Sequence, residues 1–557
     1  MIKRFVFIVL VATLVAGESA GSDQRSLPRL ERRGHATQLI VDDRPYLVLG
    51  GELNNTAASD REYLKTVWPR LVELNVNTAL VAVGWDWIEP EEGKFDFSVV
   101  DDVLQGARDH NLRVIFIWFG SWKNGMSSFA PDWVKIDQTR FPRVRVRDGK
   151  AVEILSPFGP QTLAADTAAY SKFIEHLGKV DKQRTAVMVQ LQNEVGIFGD
   201  SRDRSEVAEA AFRGPVPKQL ISHLQLHRQQ LHPDLAALWE NAGGKTEGTW
   251  AQVFGTSNAA NEVFMAWSYA QFMGHMAEAG KRVYALPVFT NSWLVQPTDK
   301  GPGDYPSGGP QPHILDIWKA GSPAIDFSAP DIYLPDFERH ATAFHRSDNP
   351  LFVPEALGDA NAVGNAICAI GTHNALGFSP FGIEDGSRLG GNGWKEGVDD
   401  RRKLPLAKGY AELSRLAPMI LDHQAAGTIG AVRLTKEKPR QEVPMGDYTV
   451  TFQLTIGRDT GYGLVLALGT DEFLVLGANI QVTFPPRTPG DPISGLLRVD
   501  QGYFENGHWV TKRRLNGDDV LLINDLKKAG DVYQSSGGLL FYSEDPSLQK
   551  VSLYRFR

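Results

Sequence analysis

Two carboxylates stand where buried strands would deliver them. The run Thr185-Ala186-Val187-Met188-Val189-Gln190-Leu191-Gln192-Asn193-Glu194 is apolar and ends in polar residues, and Asn349-Pro350-Leu351-Phe352-Val353-Pro354-Glu355-Ala356 repeats the design. A polar cluster directly after a buried run must find water, a partner or a substrate. Cleaving a glycosidic bond needs an acid for the leaving oxygen and a carboxylate for the anomeric carbon. The candidate chemistry is therefore glycoside hydrolysis, with Glu194 as general acid/base and Glu355 as nucleophile. Either motif alone is a common strand end, so the case rests on where the fold puts the two.

Short β-rich runs alternate with longer amphipathic segments from about residue 45 to 420, which is the pattern of βα units. The expected strands are Tyr46–Glu52, Thr78–Gly84, Arg113–Phe119, Ala186–Gln192, Val283–Asn291, Ile325–Tyr333, Leu351–Glu355 and Leu376–Phe381. The expected helices are Asp60–Leu74, Val99–His110, Thr162–Val180, Ala259–Gly280, His313–Ala320, Phe337–Arg346, Asn361–His373 and Pro405–Ile420. Ser59-Asp60 reads as a helix entry, and Asp166 falls in the first turn of the third helix. Eight strands and eight helices imply a closed (β/α)8 TIM barrel over 21–422. Glu194 and Glu355 would then end strands four and seven, on the face where barrel enzymes keep their sites.

Long connections leave that face at 120–161, 195–258 and 296–312, the last rich in Gly and Pro and so irregular. They are candidate substrate-shaping loops, the second with helical patterns such as Lys218–Gln230. After about 423 the helical period stops. Alternating runs at Tyr448–Gln453, Leu464–Leu468, Phe473–Val475, Ile480–Phe484, Val520–Ile523 and Leu539–Tyr542 predict an all-β sandwich over 423–557, a binding module or a scaffold.

A charged head, Met1-Ile2-Lys3-Arg4, precedes an apolar body from Phe5 to Ala16 and the small residues Gly17, Ser19, Ala20 and Gly21. This reads as a signal peptide over 1–20, with a periplasmic or secreted product. The apolar run is shorter than the roughly 20 residues of a spanning helix, so no membrane association is expected after its removal. The net charge of −8 is dispersed, which excludes a nucleic-acid footprint. Cys368 is the only cysteine, so no intramolecular disulfide is possible, and it reads as a buried small residue. Histidines lack metal-ligand spacing and Gly386 and Gly390-Gly391 fit no phosphate fingerprint, so neither metal nor cofactor is expected. Asp399-Asp400 and Asp518-Asp519 read as solvated turns.

Further motifs add to the pair. Gly50-Gly51-Glu52-Leu53 ends strand one and Asp331-Ile332-Tyr333 ends strand six; Gly84-Trp85-Asp86-Trp87-Ile88-Glu89-Pro90-Glu91-Glu92-Gly93-Lys94-Phe95-Asp96-Phe97 follows strand two. With Gln192-Asn193-Glu194 and Val353-Pro354-Glu355, these resemble the clan A glycoside hydrolases, and within them family 35, the β-galactosidases, over roughly 36 to 420. The resemblance implies retaining hydrolysis of terminal non-reducing β-D-galactosides, with Tyr333 bonded to the nucleophile. Glu52, Trp85, Lys123, Asn124, Asn193, Asn291 and Trp293 are the further candidate substrate contacts. Where many members carry a Cys-Ala-Glu-Trp-type motif, this chain has Trp118-Phe119-Gly120-Ser121-Trp122-Lys123-Asn124, so a galactose-contacting carboxylate is absent there. Glu89 and Glu91 read as structural. Export points to oligosaccharides, with galactosylated xyloglucan fragments as the expected kind. An endo-acting glycanase and a non-catalytic carbohydrate-binding barrel remain open as alternatives, and the oligomeric state is not legible.

Overall fold

The strand Thr78–Gly84 is buried along its whole length, as its unbroken Thr-Ala-Leu-Val-Ala-Val-Gly run requires when both faces of a parallel sheet are covered. Leu80 and Ala82 point into one apolar cluster, whereas Ala79, Val81 and Val83 point into another. That alternation defines a barrel interior and an outer ring of helices. The computed structural model describes residues 26–384, 401–491, 493–505, 507–520 and 537–557. The expected signal peptide, Gly386, Gly390-Gly391, Asp399-Asp400 and most of the expected strand Val520–Ile523 lie outside these.

Parallel pairing runs through Val48–Glu52, Thr78–Gly84, Arg113–Lys123, Ala186–Asn193, Val288–Trp293 and Phe327–Asp331, and Gly377–Phe378 pairs back onto Val48 and Leu49. The seventh place is taken by 351–356, which forms no continuous ladder. Its backbone is carried by the parallel bridges Ile332 to Ala356 and Val353 to Phe378, and Ile332 N donates to Glu355 O at 2.9 Å. The ring of eight is thereby closed. The interior is filled by side chains such as Ile115, Ile117, Phe119, Met188, Phe289, Phe327 and Phe352. An antiparallel sheet of Arg29–Arg33, Ala36–Val41 and Arg44–Tyr46 precedes the first strand, and its Leu39 and Val41 join that interior cluster.

The first helix is Arg61–Glu73, and Asp60 caps it by accepting from Tyr63 N at 2.7 Å. Two expectations move. The helix Asn258–Val283 continues through Val283, so the fifth strand begins only at Val288. Asp166 does not serve a helix end: it sits within Pro160–Val180, fully buried.

The helix Pro405–Ala426 runs past Ile420 and stops at Gly427, whose φ of +69° makes a left-handed cap. Beyond it a six-stranded antiparallel sheet (Ile429–Thr435, Thr460–Ala467, Glu472–Ala478, Ser547–Phe556, Ile493–Glu505, His508–Leu515) faces a four-stranded one (Arg440–Met445, Tyr448–Leu454, Ile480–Thr483, Leu539–Phe541). Val432, Phe452, Val465, Val475, Ile480 and Val551 fill the space between them. The outer face of the larger sheet is not solvated: Ala431, Leu464, Leu466, Leu474 and Leu476 share one cluster with the barrel helices, and Thr372 donates to Ala431 O at 2.9 Å. Phe504 and Trp509 meet edge to face and together pack against that same cluster.

Candidate active site

The fourth strand delivers its acid through an unusual backbone. Gln192 and Glu194 both adopt the left-handed region, with φ of +58° and +48°. Such conformations cost non-glycine residues of order 1–3 kcal/mol each and persist where surroundings over-determine them. Here Gln192 Oε1 accepts from Gly120 N and Trp122 N, and its Nε2 donates to Asp166 at 2.7 Å. Asp166 also takes Trp118 Nε1 at 2.8 Å and the Ser121 N–H and hydroxyl at 3.0 and 2.6 Å. Burial raises this carboxyl despite the four donors. It therefore locks the third and fourth strand ends together.

A two-residue hairpin adds the next constraint. Lys123 and Met126 exchange backbone hydrogen bonds around Asn124 and Gly125, with φ of +52° and +67°, the geometry that Asn-Gly favours. Asn124 N donates to Asn193 O and Gly125 N to Glu194 O. Asn124 is thus a turn residue whose side chain accepts from Lys123 Nζ, and the expected sugar contact has no further support there.

Across the barrel, Glu355 accepts from Asn193 Nδ2 at 3.1 Å and Asn291 Nδ2 at 3.2 Å on Oε1, and from the Tyr333 hydroxyl at 2.8 Å on Oε2. Three donors converging on one carboxylate suit a group that carries negative charge. Tyr333 is 36% exposed, yet its hydroxyl is committed to Glu355. Burial and the charge of Glu355 raise that hydroxyl's pKa.

Carboxylate oxygens of Glu194, Asp331 and Glu355 all lie within 4.8 Å of one another. Burial, and next the charge of Glu355, push Glu194 up to about 8. Glu52, 1% exposed at the end of the first strand, is also raised by burial and by Glu355, against the opposing field of Lys123. Buried Glu52 Oε2, Asn193 Oδ1 and Asp331 Oδ1 meet no hydrogen-bond partner among the described residues, so this mouth presents polar atoms for a polyhydroxylated ligand. The same three carboxylates are spaced as a cation site would be, but Asn and Tyr donors occupy the oxygens of Glu355, which favours hydrogen bonding over coordination.

Trp85 is a correction. Its indole is wholly buried, donates to Glu89 at 2.9 Å and packs edge-on to Trp133, so it cannot wall a pocket. Glu89 also accepts from Gly93 N and holds the turn, as expected of a structural residue; Glu91 pairs with Lys94. Trp87, half-buried against Phe129, is the ring of that motif nearer solvent. Trp293 is half-buried beside Phe198, with Gln311 from the 296–312 loop bonded to its carbonyl and to Ser292. Cys368 is buried in the helix Ala362–Thr372, and burial pushes its thiol up to about 12, which leaves it inert.

Sequence reasoning passed over Asp331 and Glu384. Asp331 precedes Tyr333 by two residues, and the period of a strand puts both on one face. Glu384 accepts from Asn54 N and Nδ2 at 2.8 and 3.0 Å and acts electrostatically on Glu52; nothing in its surrounding sequence marks it.

Residues 55–229 match a family model described as β-galactosidase, that of glycoside hydrolase family 42, and residues 406–524 match one described as a domain of unknown function (DUF5597). A β-galactosidase of Xanthomonas manihotis is 26% identical over 209 residues, which cover 36% of this chain and 32% of that protein. The match thus spans about a third of the relative's length. The β-galactosidase structure from Bacillus circulans sp. alkalophilus superposes at a TM-score of 0.44 and 16% identity, over 68% of this chain and 57% of that one. That from Marinomonas ef1 gives 0.44 and 13%, over 68% and 61%. Over part of its length the chain is similar to β-galactosidases, and the matching family model is that of family 42 where the motifs pointed to family 35. The match includes Glu194 and ends before Glu355.

Proposed function

We propose that this chain is a retaining, exo-acting glycoside hydrolase that removes terminal non-reducing β-D-galactosyl residues from oligosaccharides. The observation that carries the reading is the meeting of Glu194 and Glu355 at the ends of the fourth and seventh barrel strands, with carboxylate oxygens within 4.8 Å. Retaining enzymes hold their two carboxyls about 5–5.5 Å apart, whereas inverting ones need about 6.5–9.5 Å to admit a water. Glu355 attacks the anomeric carbon while Glu194 protonates the departing oxygen; Glu194 then takes a proton from the water that releases the sugar. The raised Glu194 carboxyl is protonated at neutrality, as the first step requires.

Exo action is supported by the way the loops are tied. Ile197 and Ser307 exchange backbone hydrogen bonds, and Gly199 N donates to Gly303 O, so the connections after the fourth and fifth strands form one wall. The strand-six motif, outside residues 55–229, supports family 35 as the finer reading. Export, with galactosylated xyloglucan fragments as substrate in the periplasm or medium, completes the proposal.

A panel of nitrophenyl glycosides, with galactosylated xyloglucan oligosaccharides and polymer in parallel, tests it. The expected result is preference for β-galactoside and release of free galactose without loss of polymer viscosity. Preference for glucoside or arabinoside, or a rapid fall in viscosity, would overturn the galactosidase or the exo assignment respectively.

A further inference from the structure

Asp331 lies beside both carboxyls of the proposed mechanism, and that mechanism gives it no task. It ends the sixth strand and is 3% exposed. Its Oδ2 accepts from Asn291 Nδ2 at 2.8 Å, the same amide nitrogen that donates to Glu355. Its Oδ1 is buried and meets no N–H or O–H donor among the described residues. One of its carboxyl oxygens nevertheless lies within 4.8 Å of one on Glu194 and one on Glu355. Two carboxyls can share a hydrogen bond only when one of them keeps its proton.

The surrounding charges decide which one. Glu355, Glu194 and Glu52 all act on Asp331 with negative charge, and Tyr333 stands beside Glu355 with its own proton committed there. The ammonium of Lys123 acts on Glu194 and Glu52. When the pair ionises, the cation favours charge on Glu194 and leaves the proton on Asp331.

We propose that Asp331 is a positioning residue for the acid/base carboxyl: its Oδ1 hydroxyl donates to Glu194 while its Oδ2 takes the amide of Asn291. This rests on the reading of Glu194 as acid/base. Before reaction the bond holds the Glu194 carboxyl in place with its own hydroxyl left for the glycosidic oxygen. In the first step the Glu194 O–H breaks and its proton goes to the leaving oxygen. The resulting carboxylate keeps the Asp331 donor, which strengthens now that its acceptor is charged. In the second step water gives its proton to Glu194 and its hydroxyl to the anomeric carbon. No proton leaves Asp331 in the cycle.

Asp331→Asn supplies an amide donor in place of the hydroxyl, and Asp331→Ala supplies none. Each is assayed beside wild type on methyl β-galactoside, which needs acid assistance, and on 2,4-dinitrophenyl β-galactoside, which does not. Asp331→Asn should keep activity within about threefold and leave the basic limb of the kcat/KM profile in place, the hydrogen bond being conserved. Asp331→Ala should move that limb upward by about one pH unit, because the charged form of Glu194 loses a donor. It should also slow the methyl glycoside about 10²-fold while slowing the dinitrophenyl glycoside less than tenfold. A downward move in Asp331→Asn would mean an ionised Asp331, and an unmoved limb in Asp331→Ala would mean no coupling; either overturns the proposal, as does an equal loss on both substrates.

Infrared difference spectroscopy of wild type minus Asp331→Asn at pH 7 reads the proton without turnover. A positive protonated-carboxyl band is expected, and a carboxylate band in its place would overturn the inference. If wild type cleaves no glycoside the hydrolase reading fails, while the infrared arm still decides the state of Asp331.

Discussion

Glu194 and Glu355 are tied together by one amide. Asn291 takes the backbone N–H of Glu194 on Oδ1 at 2.9 Å and donates from Nδ2 to Glu355 Oε1 at 3.2 Å. The position of Glu194, the proposed acid/base residue, is therefore set by its main chain, and that of Glu355, the proposed nucleophile, by the same side chain. The fifth strand, which carries neither carboxyl, sets the separation of the two that the fourth and seventh contribute.

Replacing either carboxyl should stop chemistry and spare the fold. Glu194→Gln is expected to lower kcat/KM on unactivated galactosides by about 10²–10⁴-fold, with a smaller loss on dinitrophenyl galactoside and recovery by azide in Glu194→Ala. Glu355→Gln should lose at least as much on both substrates, with no selective recovery. Near-normal steady-state rates in either variant would remove that residue from the mechanism.

The raised Glu194 carboxyl has consequences for rate and for stability. The acid form is lost above about 8, so kcat/KM should fall on the basic side near that pH. Between the ordinary 4.5 and about 8 the folded chain holds a proton that the unfolded chain releases, so stability falls as pH rises through that window. Glu194→Gln removes the titration. Its Tm should equal that of wild type near pH 4.5 and exceed it toward pH 8, by on the order of 2 °C. A difference that shrinks with rising pH would contradict the sign.

Tyr333→Phe deletes the donor on Glu355 Oε2. Loss of one preorganised donor to a reacting oxygen costs about 10²-fold in kcat, and KM should change little. An effect confined to KM would make Tyr333 a sugar contact instead.

Trp85→Phe separates packing from binding. The variant leaves the buried Glu89 carboxyl without its indole donor, which should cost about 1–3 kcal/mol of stability in denaturant unfolding. KM for galactosides should stay unchanged; a raised KM at unchanged stability would return Trp85 to the pocket.

The barrel was legible because its strands are short, apolar and separated by amphipathic helices, and Thr78–Gly84 falls where its residues predict. The fifth strand was misplaced at its start because the preceding helix is buried on nearly every side, so its period fades and Val283 reads equally well as strand. The seventh was legible as a run and not as a ladder, since Pro350 and Pro354 lack N–H donors. In the sandwich, His508–Leu515 escaped notice because Lys512, Arg513 and Arg514 are exposed and interrupt the alternation. Within the site, Glu194, Glu355 and Asn291 were readable as polar strand ends. Asp166 was not, because its four donors come from residues distant in sequence. The Asn124-Gly125 turn carried an ordinary hairpin signal that its place beside candidate sugar ligands obscured.

Covalent trapping tests the central claim most directly. Wild type is incubated with a 2-deoxy-2-fluoro-β-galactoside bearing a good leaving group, then digested and mapped by mass spectrometry. The account predicts one fluorogalactosyl group per chain, on the peptide that contains Glu355, and none in Glu355→Gln. Labelling at Glu194 or Asp331, or turnover that releases the inverted anomer with no adduct, would contradict it.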